Sequence, residues 1–310
     1  GGVKAIDVLP DYMDEIANAV SFKRKYKVVV DCGNGAGALV TPYLLRRLGC
    51  KVITLNSQLD GFFPGRKLEP TAENLQELCT VVKSLGVDLG LAHDGDADRA
   101  VAVDEKGRVA EPDELLALLS AHQVRKKGDT VVTTVDASGT VDECVGAKRG
   151  KVIRTKVGDV SVAAEIKKRG AIFGGEPSGS WIFPGVHLVP DGPLAAAKIL
   201  ELLDSTGKRL SELLDELPEH PTLRKKVPCP NEKKAGAIKK FKARLRREFK
   251  GISDVLTIDG IRFSFRDGSW ALVRPSGTEP YIRVTAGGKK EKNVEKVAEK
   301  AVRVLKSLLG

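Results

Sequence analysis

Three aspartates, Asp94, Asp96 and Asp98, alternate within five residues where His93-Asp94-Gly95-Asp96-Ala97-Asp98-Arg99 leaves an apolar run. Carboxylates this close repel one another unless a cation sits between them, and hard oxygen donors suit Mg²⁺ or Ca²⁺. A calcium-binding EF-hand needs glycine at its sixth position. Arg99 stands there instead, and although Glu105 occupies the twelfth, Ala100–Val103 reads as a strand rather than a ligand loop. A solvated acidic turn would use the same residues, but an apolar strand on each side favours a cation site. Arg99, beside such a site, would suit a phosphoryl oxygen.

Two further turns carry polar groups between glycines and prolines. In Gly174-Gly175-Glu176-Pro177-Ser178-Gly179, the Glu176 carboxylate and the Ser178 hydroxyl stand two residues apart and can grip neighbouring hydroxyls of a sugar. A turn stabilised by its own serine is the alternative. In Arg274-Pro275-Ser276-Gly277-Thr278-Glu279-Pro280, a guanidinium, two hydroxyls and glycine-freed N–H groups form a phosphate nest, more than a plain hairpin requires. Gly33-Asn34-Gly35-Ala36-Gly37 also follows a strand. It lacks both the dinucleotide glycine phase and the Lys-Ser/Thr end of a P-loop, so tight strand-to-helix turning explains it better.

The elements that must position these turns fall into three modules, 1–106, 107–216 and 217–310. In the first, runs at 27–31, 52–55, 87–91 and 100–103 read as strands, with a helical stretch placing Leu39, Tyr43, Leu44 and Leu48 on one face and a helix over about 72–85. The second repeats that grammar: helix 112–124, strand 130–135, strand 151–154, helix 160–169, strand 171–173 and helix 192–203. Strands alternating with helices imply α/β layers with loops gathered at strand ends. Beyond Leu217-Pro218 the grammar changes. A basic helix over about 232–249 puts Ile238, Phe241, Leu245 and Phe249 on one stripe. Extended segments at 260–265, 270–274 and 281–285 follow, then a terminal helix with Val294, Val297, Ala301, Leu305 and Leu308 inward. Helices on one face of an antiparallel sheet make this a small α+β domain.

The 310 residues are 42% hydrophobic and 30% charged, enough to bury several cores. No apolar run approaches the roughly 18–20 residues of a membrane span. The start carries no secretory pattern, and five scattered cysteines never form a Cys-x-x-Cys pair, which argues against a disulfide scaffold or zinc site and fits a reducing cytoplasm. A net charge of +10 could attract nucleic acid or a phosphorylated metabolite. The lysines and arginines of 239–250 already coat a helix, aromatics are only 5% and no stacking motif is present, so nucleic-acid and membrane partners are not expected.

The order of these loops resembles the α-D-phosphohexomutases. Asp-Gly-Asp-Ala-Asp-Arg matches that family's metal loop, Gly-Glu-Pro-Ser-Gly its sugar loop and Arg-Pro-Ser-Gly-Thr-Glu-Pro its phosphate loop, in family order over nearly the whole chain. The resemblance implies two related α/β domains, each a three-layer mixed sheet, followed by a domain with helices on one face of an antiparallel sheet. It also implies phosphoryl transfer between O1 and O6 of a hexose phosphate through a phosphoserine and a 1,6-bisphosphate. Mg²⁺ would sit on Asp94, Asp96 and Asp98, Arg99 would steady the phosphoserine, and Glu176 and Ser178 would hold sugar hydroxyls. Arg274, Ser276, Gly277 and Thr278 would clamp the resting phosphate, and Lys156 and Gly158 would lie in a loop near substrate, where a helix start capped by Asp159 is the alternative. The family's nucleophile lies in a Ser-His-Asn-Pro loop. None of His93, His122, His187 and His220 follows a serine, so the chain is expected to lack the N-terminal phosphoserine domain and to be inactive without it. Ser180 stands where several relatives carry histidine. A magnesium-dependent sugar phosphatase would also use clustered aspartates, but would lack the two downstream loops.

Overall fold

The structure, a computed structural model, describes residues 2–277 and 279–309. Its first sheet has the order β2 (Lys51–Leu55), β1 (Lys27–Asp31), β3 (Leu89–Ala92), β4 (Val101–Val103). β1 runs parallel to both neighbours and only β4 is antiparallel. β1 reads as an unbroken apolar run because both of its faces are covered. Val28 and Val30 join a core with Ile16 of α1 (Leu9–Ala19) and Leu44 and Leu45 of α2 (Thr41–Arg47). Val29 faces the other way, onto Leu78 and Val82 of α3 (Gln76–Leu85).

The second sheet repeats that plan as β6 (Lys151–Thr155), β5 (Thr130–Thr134), β7 (Phe173–Gly175), β8 (Trp181–Ile182), again with a parallel centre and one antiparallel edge. Around it lie α4 (Pro112–Gln123), α5 (Gly139–Ala147), α6 (Asp159–Arg169) and α7 (Gly192–Thr206), with the short α8 (Leu210–Asp215) beyond. α7 is buried along most of its length, and its Ala195-Ala196-Ala197 run lets neighbouring helices approach closely. Through α7 the two α/β units share one continuous core, from Ile16 to Leu214. Each fully buried Leu or Ile there contributes ~1.5–3 kcal/mol.

The third unit is an antiparallel sheet of order β10 (Ile252–Leu256), β11 (Ile261–Phe265), β12 (Trp270–Pro275), β13 (Tyr281–Gly287), β9 (Thr222–Pro228). α9 (Asn231–Glu248) and α10 (Glu291–Leu309) cover one face, where Phe241, Leu245, Phe249 and Phe263 meet Val294, Ala301 and Leu305. The architecture is therefore the expected pair of mixed-sheet α/β units followed by an α+β unit. Among the described residues no helix is long and apolar enough to cross a membrane, and all five cysteines are free.

Several local expectations are corrected. The stretch after β1 breaks at Val40 into a 3₁₀ turn, Ala36–Leu39, and then α2, so its phase shifts: Leu44 is buried while Leu39 and Tyr43 are exposed. The helix expected from residue 72 begins at Gln76, after a turn. Asp159 is the first residue of α6 rather than its cap, which is Gly158. The last sheet has five strands, not three. β9 is an edge strand with mostly exposed lysines and arginines, and a bulge between Ile252 and Asp254 breaks the alternation of β10. α1, with Leu9, Tyr12, Met13 and Ile16 at helical spacing, and the short α8, with Leu210, Leu213 and Leu214, add to the expected elements, whereas α5 and the two-residue β8 carry too few periodic apolar residues to stand out.

Candidate functional site

The aspartate loop is wedged into place by glycines from other segments. His93 follows β3 and is fully buried. Its Nδ1–H donates to the Arg99 carbonyl at 2.7 Å, and its Nε2 accepts from the Thr41 hydroxyl at 2.9 Å. A carbonyl can only accept, which fixes this tautomer, and burial pushes the ring's pKa down. The loop thus closes on itself through an imidazole. Ala36 N–H bonds the Gly95 carbonyl at 2.9 Å and Gly192 N–H bonds the Ala97 carbonyl at 3.0 Å. A Cβ on Gly35 would lie 2.8 Å from the Gly95 carbonyl carbon, and one on Gly192 would lie 2.6 Å from the Arg99 carbonyl oxygen. Behind the loop, the Arg66 guanidinium bonds Asp31 at 2.8 Å and the His93 carbonyl at 2.5 Å.

Asp94, Asp96 and Asp98 each offer a carboxylate oxygen, all within 4.8 Å of one another. Burial, reinforced by the charges of Asp94 and Asp96, pushes Asp98 up to about 7. Arg99 reaches Asp94 at 3.3 Å, Asp98 at 3.6 Å and Glu69 at 2.6 Å. Burial pulls Arg99 down, but these carboxylates outweigh it.

The Glu176–Ser178 turn is stitched to the aspartate loop through the backbone. Ala100 N–H donates to the Gly179 carbonyl at 3.0 Å, Arg99 and Ser180 pair as a β-bridge, and the buried Trp181 indole donates to the Ala100 carbonyl at 2.8 Å. Ser180 is buried in that bridge. Glu176 is buried and accepts from Gly158 N–H at 2.8 Å, and its burial raises its pKa. Gly158 adopts φ +122, a region other residues rarely reach.

Arg274 is the penultimate residue of β12, with its Nε donating to Asp259 at 2.6 Å. The half-buried Ser276 and exposed Gly277 form the hairpin tip beyond it, whose carbonyls at Ser276 and Glu279 accept from the buried Lys234 ammonium. Thr278 lies outside the described residues.

One cleft of about 720 Å³ takes in Arg99, Glu176, Ser178 and Arg274, from three separate loops. Ser276, Gly277 and the exposed Lys156 do not line it, whereas Val157 does. Asp96 and Asp98 border a neighbouring hollow of about 440 Å³ instead. Glu69, Asp113, Asp136, Arg224 and Arg283 also line the cleft. The sequence offers no local signal for these, because each is isolated in its own segment and meets the others only through tertiary closure. Four arginines and several carboxylates around one hollow suit a ligand that is both anionic and rich in hydroxyls.

Three family models match the chain. The phosphoglucomutase/phosphomannomutase alpha/beta/alpha domain II matches residues 10–107, alpha/beta/alpha domain III residues 111–220, and the C-terminal domain residues 225–304. The "Probable phosphoglucosamine mutase" of Methanothermobacter thermautotrophicus is 51% identical over 310 residues, covering 100% of this chain and 68% of that protein. A phosphoglucomutase/phosphomannomutase family protein from Burkholderia thailandensis superposes with TM-score 0.88 at 29% identity, over 97% of this chain and 65% of that one. The N-acetylphosphoglucosamine mutase of Aspergillus fumigatus, solved in complex with GlcNAc-6P and magnesium, shares the fold with TM-score 0.64 at 17% identity, over 97% of this chain and 65% of that one. The chain thus spans about two thirds of the length of these proteins. It belongs to the α-D-phosphohexomutase family, carrying that family's domains II, III and IV.

Proposed function

We propose that the protein carrying these residues is a phosphohexomutase that interconverts the 6- and 1-phosphates of glucosamine. The observation that carries the reading is the meeting of Arg99, Glu176, Ser178 and Arg274 around one cleft. The sugar is taken from the phosphoglucosamine mutase name of the relative 51% identical to this chain. In this reading residues 1–106 supply the metal loop, 107–216 the sugar loop and 217–310 the phosphate loop. The phosphoryl donor is a phosphoserine outside the 310 residues.

The donor set suits Mg²⁺: three carboxylate oxygens lie within 4.8 Å of one another, and burial together with the neighbouring carboxylates raises the pKa of Asp98, a strain that a cation would relieve. Asp94, Asp96 and Asp98 would hold the ion, which when bound supplies positive charge against the charge that develops on a transferring phosphoryl group. Arg99 donates to a phosphoryl oxygen. Glu176 and Ser178 hold sugar hydroxyls in either orientation of the ring, and Arg274, with Ser276, Gly277 and Thr278, clamps the phosphate that is not moving. Gly158 acts on the sugar through Glu176, which its amide orients, and Lys156 stands in the same loop just outside the cleft. Holding one phosphate while the other reacts turns a loose encounter into a positioned one. Hexose 1,6-bisphosphate is the intermediate and, added in trace, the activator. The five free cysteines favour a cytoplasmic setting.

The test is conversion of glucosamine, glucose and mannose 6-phosphates by the protein joined to its phosphoserine segment, followed by phosphorus NMR. Preferred conversion of glucosamine 6-phosphate supports the proposal. Release of inorganic phosphate without 1-phosphate would sink it in favour of a phosphatase.

A further inference from the structure

We propose that Asp259 is a positioning residue that couples Arg274 to Glu176, and so sets the spacing at which the cleft accepts a phosphate and a pair of hydroxyls on one ligand. The proposal rests on reading that cleft as a hexose phosphate site. Asp259 Oδ2 accepts from Arg274 Nε at 2.6 Å and from Val157 N–H at 3.2 Å. The next amide, Gly158 N–H, donates to Glu176 Oε1 at 2.8 Å. A single carboxylate oxygen therefore joins the arginine at the end of β12 to the turn that holds the carboxylate of the sugar loop, across the boundary between two sheets.

Asp259 is held where it can do this. Gly260 follows it at φ +77, and a Cβ there would stand 2.9 Å from Arg274 Cα, so the turn lies directly on the Arg274 backbone. Two residues further on, the buried Arg262 donates to the Val135 carbonyl at 2.5 Å and the Ala137 carbonyl at 2.9 Å and stacks on Trp270, 3.7 Å from the ring centroid. The start of β11 is thereby fixed to the second sheet, and the reach from Asp259 to Val157 is set by both partners.

Electrostatics separates this role from simple anion binding. A carboxylate beside Arg274 weakens its pull on phosphate, so a site built only for an anion would do better without it. What Asp259 contributes is geometry. It occupies Nε, which leaves only the terminal guanidinium nitrogens for a phosphate, in the two-pronged arrangement that matches its oxygens. The coupling also ties that arrangement to the Glu176 turn.

The experiment titrates the full chain, in magnesium buffer, with inorganic phosphate and with glucosamine 6-phosphate, for wild type, Asp259→Asn and Asp259→Ala. It also follows amide exchange at Val157 and Gly158. Asp259→Ala should leave inorganic phosphate binding equal or tighter and weaken glucosamine 6-phosphate, so that the preference for the sugar phosphate falls about tenfold, the factor that ~1.4 kcal/mol represents. Exchange at both amides should quicken with no loss of global folding. Asp259→Asn, whose amide oxygen can still accept from Arg274 Nε and Val157 N–H, should keep most of the preference. If Asp259→Ala unfolds, Asp259→Val, which keeps the branching and offers no acceptor, carries the same comparison. An unchanged preference in folded Asp259→Ala or Asp259→Val overturns the proposal. If wild type itself shows no preference for the sugar phosphate, the reading of the cleft fails. In that case, unaltered exchange at Val157 and Gly158 would overturn the coupling separately.

Discussion

Gly35→Ala tests whether close backbone approach builds the aspartate loop. Gly35 has φ −100, an ordinary value, so alanine meets no backbone penalty there and the cost is purely steric. The new methyl would stand 2.8 Å from the Gly95 carbonyl carbon and 2.9 Å from its Cα, and closer still to its oxygen. Carbon atoms rest about 3.5–4.0 Å apart, so Gly95 would have to retreat by about 0.7–1.2 Å. It has little room, since Leu68 and Phe63 press on its far side, within 3.0 and 3.4 Å of where its own Cβ would be. Overpacking of this kind costs ~1–3 kcal/mol.

Gly95 stands between Asp94 and Asp96, so the displacement splays the carboxylates themselves. Calorimetric titration with Mn²⁺ should show an affinity at least about tenfold weaker than wild type, corresponding to ~1.4 kcal/mol lost from the bound state. Circular dichroism should show the same secondary structure. Gly185→Ala, where no atom lies within 4 Å of the added methyl, is the control and should behave as wild type. Wild-type Mn²⁺ affinity in Gly35→Ala would refute the reasoning.

Asp96 is the exposed member of its trio, so Asp96→Asn should abolish Mn²⁺ binding measured by electron paramagnetic resonance while leaving the metal-free chain as stable or slightly more so. Glu176 has its folded pKa raised by burial, so the folded chain holds that proton longer than the unfolded one and stability falls as pH rises through the unfolded and then the folded value. Glu176→Gln should therefore be more stable than wild type at about pH 8, with the gap closing at about pH 3, where both states are protonated. Denaturant melts at the two pH values that show a constant gap would contradict the assignment. Trp181→Phe leaves the Ala100 carbonyl without its indole donor. It should cost ~1–3 kcal/mol and speed amide exchange at Ala100, and unchanged exchange would show that the stitch between the two loops does not depend on the indole.

The three chemical turns were legible because each packs its polar groups into one contiguous stretch bounded by strands, so spacing alone suggested what they could bind. The residues that hold those turns were not, since their partners lie far along the chain. Glu69 meets Arg99, Asp259 meets Arg274 and Lys234 meets the Ser276 carbonyl only after the sheets have packed. The fold shows the same division. β1, buried on both faces, announces itself as three valines, whereas α5 carries glycine at its first and eighth positions and only Val141 and Val145 to mark a face.

The Gly33–Gly37 loop shows most plainly why a local reading stops short. Read along the chain, its glycines explain a tight turn from strand to helix. In three dimensions Gly35 and Gly37 also border the aspartate loop, where added methyls would meet Gly95 and His93, and Gly192 closes it from a segment about 95 residues further along the chain. Glycine at these positions is needed for what it leaves out, and omitted volume has no periodicity, charge or propensity by which a sequence could declare it. Whether the loop can gather three like charges therefore depends on packing from three directions. A substitution at any of these glycines should then disturb cation binding more than a change at an exposed carboxylate disturbs folding.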